Sequence, residues 1–153
     1  TLRNNLTFYQ PDATEAEIAH ALELVGLTSL VAELPKGLDT VVGEGGRSLS
    51  GGQSQRVALA RAVLHRTCQV LVFDEPTAHL DIETEWELKQ RMIPLMEDKL
   101  VFFATHRLHW LREMDEVLLL EDGQVRGFGS YEALSETNSF SYLSSHGKEG
   151  GDE

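Results

Sequence analysis

With 153 residues, 41% of them hydrophobic and 25% charged, the chain has the composition of a folded globular domain and not of a disordered segment. Its formal net charge of −12 leaves no basic footprint for neutralising phosphates, which argues against a nucleic-acid partner. A single cysteine, Cys68, excludes an internal disulfide and fits a reducing compartment, and no apolar run is long enough to span a bilayer.

In chain order, Thr14-x-x-Glu17 is a capping-box pattern, followed by Ile18, Leu22 and Val25 as an apolar helical stripe. A second helical piece over 29–34 ends at Pro35. Residues 41–48 are rich in glycine and read as a loop lying close to something. Ser50-x-x-Gln53 is another capping box, with Val57, Ala60 and Leu64 at helical spacing behind it. Cys68 then reads as a small buried side chain at the start of a strand. Residues 69–73 and 100–104 are short apolar runs, expected as strands buried on both faces of a parallel sheet. Between them, Asp81 can cap a helix whose first turn carries Glu83 and Glu85, favourable against the helix dipole. Leu88, Met92 and Leu95 form its inner stripe, and Pro94 should end or kink it. Asp122-Gly123 is a hairpin turn joining strands at 117–120 and 125–128. The expected organisation is a mainly helical subdomain over 1–66, an α/β core over 67–143 and a flexible tail over 144–153.

Three places carry chemistry. Gly51-Gly52 at a helix mouth lets the backbone approach a ligand, and the unpaired N–H groups there favour an anion such as a phosphate. Taken alone, the same residues also fit an ordinary capped turn. Asp74 and Glu75 stand at the carboxyl end of a strand, where open α/β sheets bind ligands. An Asp there can hold Mg²⁺ and an adjacent Glu can polarise an attacking water, although an isolated Asp-Glu pair more often just solvates a strand end. His106 ends the next strand, where a histidine is by itself more often structural. The other histidines have no metal-ligand spacing.

The conjunction of these signals in one order resembles the ATP-binding-cassette ATPases, from Leu2 through Leu143. Leu49-Ser50-Gly51-Gly52-Gln53 matches the signature loop of that family, and 70–75 matches its Walker B strand with the catalytic glutamate. Ala78-His79-Leu80-Asp81 occupies the D-loop, and His106 matches the switch histidine. The resemblance implies a partial P-loop NTPase fold, a mostly parallel sheet flanked by helices plus a helical subdomain. It also implies ATP and Mg²⁺ as ligands, Asp74 as the Mg²⁺ site, and Glu75 and His106 as catalytic residues. Leu49, Ser50, Gly51, Gly52 and Gln53 would contact ATP held by a second nucleotide-binding domain, with Asp81 in the D-loop.

Residues 1–6 and 38–44 resemble segments of exporter-type cassettes, which implies a transmembrane domain as partner and a place at the cytoplasmic face of the membrane. Gly43-Glu44-Gly45-Gly46 and Pro76–Asp81 are similar to the thiol exporters of cytochrome bd assembly. Gly45-Gly46 stands where Arg-Gly is more usual, and Ala78 replaces a common Ser, which removes any hydrogen bond that Ser would make. A soluble cassette ATPase of DNA repair or translation is the rival reading. The phosphate-loop pattern G-x-x-x-x-G-K-[ST] does not occur in these 153 residues. It is expected upstream, with ATP hydrolysis a property of the full-length protein and these residues alone inactive or nearly so.

Overall fold

The computed structural model describes residues 1–137, and the tail expected over 144–153 lies outside them. Contacts divide the chain into two units, Thr1–Phe103 and the remainder from Ala104. The first unit holds α1 (Leu2–Leu6), α2 (Glu15–Leu24), α3 (Thr28–Glu33), α4 (Gly51–Leu64), β1 (Val70–Asp74), α5 (Ile82–Met96) and nearly all of β2 (Leu100–Ala104). The second holds β3 (Val117–Glu121), β4 (Gln124–Gly129) and α6 (Tyr131–Ser135), preceded by a 3-10 segment at Leu108–Glu113.

Local chemistry sets the helix starts. Thr1 accepts from the Asn4 N–H at 3.2 Å and opens α1, which buries Leu2 and Leu6 completely. The capping box of α2 closes in both directions: Glu17 N–H donates to Thr14 Oγ1 at 3.3 Å, and Thr14 N–H to Glu17 Oε2 at 2.7 Å. Arg66, just beyond α4, grips the same carboxylate through Nε at 2.7 Å and Nη2 at 2.6 Å. That guanidinium, with the Thr14 N–H and hydroxyl, lowers the Glu17 carboxyl from 4.5 to about 2. Ile18, Ala21 and Leu22 of α2 are buried, as are Val57, Leu59, Ala60 and Leu64 of α4. Arg61 of α4 donates to the Asn5 carbonyl at 2.7 Å and joins α1 to the same bundle. In the glycine loop, a Cβ on Gly46 would lie 2.4 Å from the Val41 carbonyl oxygen, so only glycine fits there.

β1 and β2 are neighbours in a two-stranded sheet, with α5 between them in the chain. The expectation of burial on both faces is not met. Leu71 is buried, but Val70, Val72, Leu100 and Phe102 are exposed, Val72 at 73%. The physical reason is alternation: successive side chains point to opposite faces, and the described residues cover one face only. α5 does not stop at Pro94 but runs two residues past it to Met96, since a proline in the last turn forfeits a single hydrogen bond. Cys68 is half-buried, its thiol donating to the Val70 carbonyl at 3.0 Å.

In the second unit, β3 and β4 form the expected antiparallel hairpin, Val117 opposite Gly129 and Glu121 opposite Gln124, with an irregularity between Leu119 and Leu120. Asp122 and Gly123 both take positive φ, 49° and 73°, which is what a two-residue turn matching strand twist demands. Val117, Leu119 and Leu134 form its core, with Leu108, Leu111, Met114 and Tyr131 packed around them.

Candidate functional site

The site in the first unit is assembled where the start of α4 meets the turn after β1. Ser50 is the N-cap of α4: its hydroxyl accepts from the Gln53 N–H at 3.1 Å, and Gln53 Oε1 accepts from the Ser50 N–H at 3.0 Å. The reciprocal pair uses the polar groups of Ser50 and Gln53 to hold the helix mouth. Gly51 and Gly52 then occupy the first turn, where a helix has no internal acceptors for its N–H groups. Leu49 precedes the cap and is half-buried.

Why glycine stands at both positions is visible in the packing. A Cβ on Gly51 would lie 3.3 Å from Cδ2 of the His79 ring, and one on Gly52 only 3.1 Å from the His79 carbonyl oxygen. Helix α4 therefore presses its first turn directly on His79 and Leu80, in the segment expected from the family resemblance to be the D-loop. Asp81 ends that loop as the N-cap of α5, accepting from the Thr84 N–H at 2.9 Å and the Thr84 hydroxyl at 2.8 Å. The Thr84 N–H, more than its hydroxyl, holds the Asp81 carboxyl below the usual aspartate value.

Asp74 is the last residue of β1 and is exposed. A single hard carboxylate at a strand end fits Mg²⁺, which prefers one or two protein oxygens and completes its shell with water and phosphate. Among the described residues no three His, Cys, Asp or Glu side chains gather into a metal cluster, so such an ion would have Asp74 and not a protein cage. Glu75 follows in the left-handed region at φ 46°, an uncommon place for a residue with a Cβ. Its carbonyl is held by two donors, the Ala78 N–H at 3.2 Å and Gln55 Nε2 at 2.6 Å.

The structure thus brings Ser50, Gly51, Gly52, Gln53, Asp74, Glu75 and Asp81 into one unit, with contacts from α4 to residues 75–80. His106 belongs to the second unit, at an exposed bend two residues past β2. Two features escaped the sequence reading. Gln55 is one. The other is Glu85, read there only as a first-turn acid favourable against the helix dipole. Instead it is buried and accepts the Thr77 hydroxyl at 2.5 Å, with Lys89 also buried one turn on. Thr77 lies in the turn after Glu75, so the pair anchors that turn to α5. An i, i+4 Glu-Lys spacing was the only signal available, and on a helix surface it is commonplace.

Residues 1–78, half of the chain, match the family described as ABC transporter. The chain belongs to the ABC transporter family. Its relatives in that family include the glutathione/L-cysteine transport system ATP-binding/permease protein CydC of Bacillus subtilis, 56% identical over 90% of this chain and 24% of that protein. The ATP-dependent lipid A-core flippase of Haemophilus influenzae is 40% identical, again over 90% of this chain and 24% of its own length. Among solved ABC structures, that of a bacterial Atm1-family ABC exporter with ATP bound superposes with a TM-score of 0.83 at 31% identity. It matches all of this chain, which covers 27% of the exporter. The chain therefore has the α/β architecture of an ABC exporter's ATP-binding domain in part, and it spans about a quarter of the length of these relatives. Among its described residues no helix is long and apolar enough to cross a membrane.

Proposed function

We propose that this chain is the signature- and Walker B-bearing part of the ATP-binding domain of an exporter, in which ATP hydrolysis drives transport across a membrane. The observation that carries the reading is the direct seating of the Gly51-Gly52 helix start on the turn that follows Asp74 and Glu75. Together these offer anion-binding N–H groups, a carboxylate for Mg²⁺ and a second carboxylate within one unit.

In this mechanism the first turn of α4, with Leu49, Ser50, Gly51, Gly52 and Gln53, closes on ATP held by a second nucleotide-binding domain. Asp74 and Glu75 serve the nucleotide of their own chain. Mg²⁺, when bound, offsets the charge of the phosphate oxygens. Glu75 orients and polarises the attacking water, and His106 contacts the γ-phosphate. Asp81 fixes the D-loop by capping α5. Phosphoryl transfer of this kind depends mainly on positioning, so residues 1–153 alone are expected to hydrolyse ATP weakly or not at all. The domain would work at the cytoplasmic face of the membrane, joined to a transmembrane domain. The identity to a glutathione/L-cysteine transport protein makes low-molecular-weight thiols the favoured cargo. A soluble ATPase of DNA repair or translation is less favoured, because the net charge of −12 offers nucleic acid no footprint.

Glu75→Gln in the full-length protein tests the assignment. The variant should retain bound ATP through rapid gel filtration while the wild type releases ADP. Recovery of ADP from both in equal amount would overturn the role given to Glu75.

A further inference from the structure

We infer that Gln55 is a positioning residue for hydrolysis, coupling the signature helix to the turn that carries Glu75. The inference deepens the proposed function and rests on it. Gln55 lies one turn beyond Gly51 on α4, on the same side of the helix as the two glycines that touch His79. Its Nε2 donates to the Glu75 carbonyl oxygen at 2.6 Å, across twenty residues of sequence. The bond falls on one of the few described non-glycine residues with a positive φ. Glu75 sits at φ 46°, a conformation that persists only where the surroundings over-determine it.

The Ala78 N–H supplies one restraint on the Glu75 carbonyl from within the turn, and Gln55 supplies another from α4. The Gln55 amide has one way to face. Turned over, it would set its oxygen against the Glu75 carbonyl, acceptor against acceptor. In the orientation observed, Oε1 is buried and takes no hydrogen bond from the described residues, so the polar commitment of the side chain is to Glu75. A movement of α4 as its first turn closes on a nucleotide is thereby passed to the peptide plane of Glu75, and so to the direction of its carboxylate. The signature motif would report to the chain's own catalytic turn through this one amide.

Steady-state ATP hydrolysis by the full-length transporter tests the inference, with Gln55→Leu, Gln55→Glu and Gln55→Lys compared with wild type. Leu keeps the bulk and removes the donor, Glu turns an acceptor toward the carbonyl, and Lys restores a donor. The expected result is a kcat lower by about tenfold in the Leu and Glu variants, with the KM for ATP within twofold, and recovery of most of that loss in the Lys variant. A kcat within twofold of wild type in both Leu and Glu variants would overturn the inference. So would a Lys variant as slow as the Leu variant, which would mean that packing and not the donor matters. Should Gln55→Leu melt too low to assay, the near-isosteric Gln55→Glu carries the comparison. Glu75→Gln run alongside separates the two levels: normal hydrolysis there removes the proposed function itself, whereas loss there with intact Gln55 variants removes only this inference.

Discussion

Glu85 is exposed by only 1%, an unusual place for a carboxylate, and the Thr77 hydroxyl at 2.5 Å helps make it tolerable. Removing that hydroxyl leaves a buried acceptor one partner short. Thr77→Val should therefore lower the unfolding free energy by about 1–3 kcal/mol in urea denaturation, while Thr77→Ser stays within about 1 kcal/mol of wild type. Equal stability of the Val variant and the wild type would mean the pair contributes nothing. At this scale the sequence is only partly readable. Gly51, Gly52, Asp74 and Glu75 stood out because helix mouths and strand ends are recognisable places. Glu85 and Gln55 did not, because their meaning lies in what they face: an acid in a helix start looks solvated until Thr77 is folded against it.

Helix starts were the most legible elements. The patterns Thr14-x-x-Glu17 and Ser50-x-x-Gln53 both close into reciprocal caps, because capping is local chemistry that a few adjacent residues determine. Ser50→Ala should cost about 1 kcal/mol of stability on the same denaturation assay, the usual worth of an N-cap hydroxyl. The cap of α2 adds a pH dependence. With its folded carboxyl at about 2 and its ordinary value at 4.5, Glu17 contributes fully above pH 4.5 and loses that contribution as pH falls toward 2. The difference in melting temperature between wild type and Glu17→Gln should accordingly shrink across that window, and a gap that stays constant down to pH 2 would exclude the Arg66 clamp as its source. Strands were less legible. Apolar runs located β1 and β2 within a residue, yet burial depends on which layers lie against each face, and no run of residues encodes that. Val70, Val72, Leu100 and Phe102 consequently form an exposed apolar row.

For the whole molecule, motif order identified the family more firmly than any single residue did, since each signal alone has a commonplace reading. The division of the chain was harder to foresee. Contacts separate it after Phe103, one residue before β2 ends, because α5 packs back toward α2 and keeps β1 with the helices. In the longer protein proposed here, the exposed rows on β1 and β2 are faces for further layers of the same domain. The central claim is that this unit presents a hydrolytic turn, Asp74-Glu75, held against a phosphate-binding helix start. The most direct measurement is steady-state phosphate release from ATP by the full-length protein and its Glu75→Gln variant. The account predicts a loss of at least about a hundredfold in kcat, in the range that loss of a positioned proton acceptor brings. A variant that releases phosphate at the wild-type rate would contradict it.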